Sequence, residues 1–371
     1  MTISGKKILV TGATGYVGTL FLNRLLKGIE VHGCQGSAEG TASQFQDSPP
    51  KSTGSKVSEE EVIVALDIKE IPIERRNPGV IYEVGDVRSE AIGEMIKKHE
   101  IDTVVHLASI VTPGKNSNRE LEYSVDVLGT KNVLEACVEH GVSQIVVTSS
   151  GAAYGYYPDN PQWITERVQI RGNEEFAYSY HKRLVEEMLA TYRESHPQLK
   201  QTIFRVGTIL GASVKNQITD LFEKKVLLGI KGSDSPFVFI WDEDVAEALY
   251  QAVMFEKKGI YNLAGSGKLT IHELGNLLNK RVIFFPPAVL KHSLSVLKKL
   301  RLTQYGPEQI NFLRYRPVLD NRKLREEFGF NPTYTSEEVF HLFLKGRGYK
   351  SNDSRITPQK DQVKGHVQTK G

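Results

Sequence analysis

Cysteine is nearly absent. Cys34 and Cys137 are the only two in 371 residues, too few and too far apart for a disulfide framework or a zinc pattern, and no metal site is expected. Long hydrophobic runs are missing too: nothing approaches the roughly 18 apolar residues that a membrane-spanning helix needs. The first apolar run, Ile8-Leu9-Val10, is too short for a secretory signal. A cytoplasmic protein is therefore expected. A surplus of charge is also lacking. Lys and Arg number 47 against 44 Asp and Glu. The net +3 resides in residues 350–371, which carry five basic and two acidic side chains and read as a disordered tail. The balanced remainder offers no electrostatic match for a nucleic acid. With 40% hydrophobic and 9% aromatic residues, wholesale disorder is excluded.

What is present is an alternation of short apolar runs with longer amphipathic stretches. Runs at 7–11, 62–66, 80–84, 103–107, 144–148 and 201–206 read as buried parallel strands. Helical spacing covers 16–27, 89–99, 121–140 and 175–195. The pattern predicts an α/β protein with a Rossmann-type doubly wound parallel sheet and a smaller C-terminal substrate-binding lobe. The expected division is 1–207 for a dinucleotide-binding domain and 208–349 mainly for the substrate lobe, with 238–265 returning to the first domain. Residues 33–61, rich in Ser, Gly, Pro and Glu, read as a flexible insertion. The insertion leaves two candidates for the second strand. Residues 62–66 are preferred over 30–34, which is too short. Without insertion and tail, about 320 residues remain, which suits one Rossmann domain with a lobe.

The segment Thr11-Gly12-Ala13-Thr14-Gly15-Tyr16-Val17-Gly18 joins the first strand to the first helix. Gly12 permits the turn, Gly15 lets the backbone approach a pyrophosphate, and Gly18 lets the helix pack close to the sheet. The helix N-terminus then faces the phosphates with its N–H groups. Asp67, ending the second strand, is placed to accept hydrogen bonds from the adenosine ribose and to repel a 2′-phosphate. This favours NAD over NADP, although Lys69 and Arg75 nearby leave NADP open.

Tyr178 and Lys182 are four residues apart at the start of a predicted helix, so they share one face. Ser149 and Ser150 end the fifth strand, at the sheet edge where ligands bind in such folds. A free tyrosine, with a pKa of about 10, is a poor base at neutral pH. A neighbouring ammonium and an oxidised nicotinamide favour its phenolate. His106 reads as a packed strand residue rather than a catalyst.

The GxxGxxG spacing in TGATGYVG, with the Tyr-x-x-x-Lys pair, resembles the extended branch of the short-chain dehydrogenase/reductase superfamily, which includes the nucleotide-sugar epimerases. The resemblance runs from Lys7 to about Tyr334, outside the insertion. It implies a catalytic triad of Ser150, Tyr178 and Lys182, with Ser149 as the less favoured register. Tyr178 would exchange the substrate's hydroxyl proton, Lys182 would hold the nicotinamide ribose, and Ser150 would hydrogen-bond the reacting oxygen. It implies adenine contact by Asp86 beside Val87, and passage of the fourth strand past the cofactor at Leu107 and Ala108. Later segments agree in order: Phe204-Arg205, Gly211, Asp242-Glu243-Asp244-Val245-Ala246, Tyr261-Asn262, and Asp320 through Phe328-Gly329-Phe330. A homodimer built from helices 121–140 and 175–195 is also implied.

Three positions depart from that pattern. Gly151-Ala152 follow Ser150 where sugar dehydratases carry Asp-Glu, which argues against dehydration. Ser235-Pro236-Phe237 lacks the Arg that holds a substrate diphosphate, for which Arg314 and Arg316 could partly compensate. Asp126 stands where the family has Asn. The function expected is that of an NAD-dependent epimerase or dehydrogenase on a sugar-nucleotide-like secondary alcohol. The alternatives are an oxidoreductase of sterol-like or phenolic alcohols and a non-catalytic NAD-sensing scaffold. Tyr154, Tyr156, Tyr157 and Trp163 are placed to line a pocket or pack a lid. Residues 288–302 read as a lobe helix with a solvated basic face, with peripheral membrane contact open but not favoured.

Overall fold

The computed structural model describes residues 5–33, 61–111, 118–234, 236–300, 306–307 and 309–349. Most of the expected insertion, together with Cys34 and the tail at 350–371, lies outside the described residues. In chain order the strands are β1 (Lys7–Thr11), β2 (Val62–Asp67), β3 (Val80–Val84), β4 (Thr103–His106), β5 (Gln144–Ser150), β6 (Lys200–Val206), β7 (Thr208–Leu210), β8 (Leu227–Ile230), β9 (Phe239–Trp241), β10 (Gly259–Leu263) and β11 (Val282–Phe285). The helices are α1 (Tyr16–Gly33), α2 (Ala91–Lys98), α3 (Arg119–Tyr123), α4 (Thr130–Glu139), α5 (Ala177–Ser195), α6 (Gln217–Glu223), α7 (Asp242–Met254), α8 (Ile271–Leu277), α9 (Pro287–Lys299), α10 (Gln309–Arg314) and α11 (Ser336–Gly346).

Seven strands form one parallel sheet in the order β10-β6-β5-β4-β1-β2-β3. The order reverses between β1 and β4, so the carboxyl ends of those strands open a crevice. Ile8, Leu9 and Val10 are wholly buried, as are Val104, Val105, Ile145 and Val146. This double-sided burial is why the strands read as continuous apolar runs rather than alternating ones. On one face α1 and α7 close a core with Phe21, Leu25, Leu249 and Val253. On the other, Val133, Leu134, Val185 and Leu189 of α4 and α5 close a second. A third core, built from Phe222, Phe237, Phe239, Phe340 and Phe343, lies among the later elements. β7 pairs with β9 and β8 with β11 in two small parallel ribbons there.

Two elements differ from the expectation. α1 runs through Gly28 to Gly33 rather than stopping at 27. A Cβ at Gly28 would lie 2.6 Å from the Tyr250 hydroxyl, so this glycine permits close packing of α1 on α7 and does not end the helix. Residues 30–33 are thereby helical, and 62–67 is the second strand. The expected helix at 121–140 is broken into α3, a π-helical turn at Ser124–Gly129, and α4. The turn carries Asp126, whose backbone carbonyl accepts from the Thr130 hydroxyl at 2.6 Å.

Candidate active site

A cleft of about 460 Å³ opens at the carboxyl ends of the strands. Its lining joins the glycine loop and its helix (Gly12, Gly15, Tyr16, Val17, Gly18) to Leu107, Ser150, Tyr178 and Lys182.

The loop is built by steric necessity. Gly12 has φ +69°, and a Cβ there would lie 2.7 Å from the Ala108 backbone nitrogen. A Cβ at Gly18 would overlap the Gly12 carbonyl oxygen, and one at Gly15 would come within 3.1 Å of it. The first turn of α1 carries no acidic residue of its own. Bare backbone at a helix N-terminus fits a pyrophosphate. The Gly12→Ala protein should lose about 1–3 kcal/mol of stability from the forced left-handed conformation. It should also bind NAD at least about tenfold more weakly; thermal melts and titration calorimetry measure the two effects.

Asp67 sits behind this loop. One carboxylate oxygen accepts from the Thr14 backbone N–H at 3.0 Å and the other from the Lys69 N–H at 3.1 Å. Asp86 is held by Arg88, with Nη2 to Oδ2 at 2.6 Å, and this guanidinium keeps its carboxyl below the usual range. Val87 is buried against Gly129. Asp67, Asp86, Val87 and Ala108 are not among the cleft-lining residues. Tyr16 donates to the buried Asp242 carboxylate at the start of α7, and burial with that contact pushes its phenol up to about 12. A Cβ at Gly211 would collide with the same carboxylate.

The two serines ending β5 have different partners. The buried Ser149 hydroxyl donates to Glu186 Oε1 on α5 at 2.5 Å. Ser150 Oγ accepts from the Ala152 N–H at 3.1 Å, capping the short 3-10 turn at Gly151–Tyr154. Lys182 is buried, spends one of its three N–H donors on the Thr148 carbonyl at 3.1 Å, and lies 5.6 Å from the Tyr178 ring centroid. His106 is fully buried between Thr11 at 2.8 Å and Thr130 at 3.0 Å. The Thr130 hydroxyl already donates to Asp126, so Nε2 of His106 donates to Thr130 and Nδ1 accepts from Thr11. Burial holds this imidazole down to about 4 and therefore neutral. Asp126 accepts from the Ile110 N–H at 2.8 Å, and its other oxygen lies 3.5 Å from Nδ1 of the buried His181.

The floor beneath the serines is a buried ion pair. Arg205 on β6 grips Glu186 through Nε at 3.0 and 2.9 Å and through Nη2 at 2.6 Å. Its Nη1 donates to the Tyr154 hydroxyl at 2.8 Å, which donates to Asn262 on β10 at 2.8 Å. Burial opposes the Arg205 charge, but the Glu186 carboxylate outweighs it and raises the pKa. Tyr154 thus belongs to this network, whereas Tyr156 lines the cleft. Tyr157 donates to the Gly172 carbonyl under the Arg171 guanidinium. Trp163 lies exposed, facing Lys268.

Part of the cleft is aromatic, lined by Tyr156, Phe176, Phe237 and Phe312. Phe176 and Phe312 had no local signal in the sequence. Arg316 is fixed between Phe237 and Phe312, its Cζ 4.0 and 4.5 Å from their ring centroids. Among the described residues its buried Nε and Nη2 have no hydrogen-bond partner. Burial pulls this guanidinium down to about 10, which leaves it cationic at neutral pH.

A model of the NAD dependent epimerase/dehydratase family matches residues 8–264. An uncharacterised protein of Mycobacterium tuberculosis is 25% identical over 268 residues, 71% of this chain and 70% of its own. UDP-glucose 4-epimerase of Mus musculus is 26% identical over 220 residues, 57% of this chain and 56% of its own. Among solved structures, dTDP-glucose 4,6-dehydratase from Bacillus anthracis in complex with NAD superposes with a TM-score of 0.65 at 17% identity, covering 92% of this chain and 96% of the other. UDP-glucose 4-epimerase from Thermus thermophilus, in complex with NAD, gives 0.63 at 22% identity, covering 92% and 99%.

Proposed function

Because the chain belongs to the NAD-dependent epimerase/dehydratase family, we propose that it is an NAD-dependent epimerase or dehydrogenase acting on a secondary alcohol of a sugar-nucleotide-like substrate. The observation that carries this reading is the convergence of Ser150, Tyr178 and Lys182 with the glycine loop on one cleft. In this proposal residues 1–207 hold the cofactor through Gly12, Gly15 and Gly18 and through Asp67 and Lys182, and residues 208–349 mainly hold the substrate. NAD, when bound, supplies the hydride acceptor. Tyr178 takes the proton from the substrate hydroxyl and returns it in the reverse direction. Ser150 hydrogen-bonds the same oxygen and holds it in line. Lys182, anchored on the Thr148 carbonyl, keeps a fixed positive charge beside the phenol. The aromatic wall excludes water from the reacting atoms.

Arg316 supports an anionic substrate. A buried guanidinium with two unpartnered donors is costly alone and favourable once a phosphate or carboxylate reaches it. The four aromatic rings beside it favour a second reading, an oxidoreductase of a non-nucleotide alcohol. The scaffold reading has less support, because a scaffold has no use for a Ser, a Tyr and a Lys on one cleft. A homodimer through residues 121–140 and 175–195 also belongs to the proposal, and the exposed Leu121 and Tyr123 of α3 and Leu128 of the π-helical turn favour it.

Mass spectrometry of co-purifying ligands, then 340 nm absorbance across sugar nucleotides, sterols and phenolic alcohols, tests the reading. An epimerase keeps its NAD through turnover, whereas a dehydrogenase exchanges it. Arg316→Met is expected to raise KM for an anionic substrate by about tenfold or more while kcat falls less. Turnover of sterols or phenols alone, with sugar nucleotides inert, sinks the sugar-nucleotide assignment.

A further inference from the structure

Helix α9 buries none of its residues. The sequence predicts a lobe helix with a solvated basic face; in the structure Leu290 and Leu294 are half-buried, and the other large apolar positions stand in solvent. Val289 is 50% exposed, Val296 42%, Leu297 38%, and Leu300, at the end of the helix, 61%. At about 100° per residue these four share an arc of roughly a quarter turn. Lys291, Lys298 and Lys299 fall on the other side. The adjoining ribbon repeats the pattern. Ile283 of β11 stands beside Leu228 of β8, and with Phe285 and Val226 both are exposed apolar side chains. A soluble surface rarely leaves this much aliphatic area open without a use for it.

The charge along this part of the chain is one-sided. Residues 274–307 contain no Asp or Glu, but hold Lys280, Arg281, Lys291, Lys298, Lys299 and Arg301, whereas the rest of residues 1–349 carries 36 Lys and Arg against 42 Asp and Glu. Two such surfaces would repel one another, which opposes pairing with a second copy. An apolar strip on a helix whose opposite side carries lysines matches the acyl boundary and headgroups of an anionic bilayer. We propose that α9 and the β8–β11 ribbon dock this protein on an anionic lipid surface. The contact is peripheral: no helix among the described residues is long and apolar enough to cross a membrane. α9 packs against α10, whose Phe312 lines the cleft, so docking brings one wall of the cleft close to the lipid. The inference stands independently of the catalytic reading.

Co-sedimentation of the full chain with vesicles of phosphatidylcholine alone, and of phosphatidylcholine mixed with phosphatidylglycerol, tests this. Binding is expected to the mixed vesicles only and to weaken with salt. Each lysine near such a surface contributes about fivefold. Lys291→Glu/Lys299→Glu should therefore bind at least about tenfold more weakly, as should Val296→Asp/Leu300→Asp, which removes the apolar insertion. These positions are exposed, so melting temperature and NAD binding should match wild type, which separates lost docking from misfolding. Failure to sediment, equal sedimentation with neutral vesicles, or variants that bind like wild type would each overturn the proposal. So would a concentration-dependent dimer that Val296→Asp/Leu300→Asp dissolves while vesicles remain unbound; the surface would then belong to a second copy.

Discussion

Replacing Tyr178 by phenylalanine is expected to reduce kcat by about 10²- to 10⁴-fold, the range over which a positioned proton-transfer group contributes. The structure makes this a clean substitution. Tyr178 is half-buried on the cleft wall, among the described residues its hydroxyl has no hydrogen-bond partner, and the Lys182 ammonium lies over its ring. Removing the oxygen therefore leaves no buried donor or acceptor unsatisfied and opens no cavity, so stability should change by less than about 0.5 kcal/mol. The dinucleotide is expected to bind with near wild-type affinity, since the glycine loop belongs to other elements. Steady-state kinetics, a thermal melt and an NAD titration on one preparation separate the three effects. Wild-type turnover by the phenylalanine variant would remove Tyr178 from the mechanism.

The second large effect is structural. Glu186→Ala should cost about 3–5 kcal/mol, because it leaves the Arg205 guanidinium buried beside a void. That is a large share of the 5–15 kcal/mol that holds a typical domain together. Arginine cannot escape by losing its proton, and Ser149 loses its acceptor in the same step. Replacing both partners, as in Glu186→Leu/Arg205→Met, should recover much of the loss, since a buried pair is often worth no more than well-packed apolar groups. Urea unfolding of the two single variants and the double variant measures this. A Glu186→Ala protein within 1 kcal/mol of wild type would show that the pair is not what holds β5, β6 and α5 in register.

The parts of this molecule that were legible in the sequence are those whose physics is local. The parallel strands announce themselves by continuous apolar runs, and the loop from Gly12 to Gly18 by a spacing that only backbone–backbone contact explains. The placing of Ser150, Tyr178 and Lys182 on one cleft was legible through resemblance and position, because β5 ends and α5 begins at the same sheet edge. What escaped depends on partners distant in the chain. Gly28 looks like a helix stop until Tyr250 is placed against it. Arg314 and Arg316 were both named from the sequence, and only the closing of Phe237 and Phe312 on both faces of Arg316 tells them apart. The apolar positions of α9 carry ordinary helical spacing, and periodicity does not say whether the layer they face exists. The π-helical turn at 124–129 was hidden for a similar reason: hydrogen bonding there is decided by Thr130 and by the buried Asp126 beside His181.

Strand β5 places two hydroxyls one residue apart on opposite sides of its pleat, one locked to Glu186 and one beside the cleft. A strand has a period of two, so losing or gaining one residue between Gln144 and Ser149 would exchange them. After a one-residue deletion Ser149 would take the place of Thr148, and Ser150 would meet the Glu186–Arg205 pair instead. Length variation in this strand should therefore come in steps of two or not at all, whereas the loops on either side of β5 are free to change by single residues. The spacing from the start of β5 to its last hydroxyl is thus a hereditary ruler, one that a substitution can scarcely disturb and a single-codon deletion breaks at once.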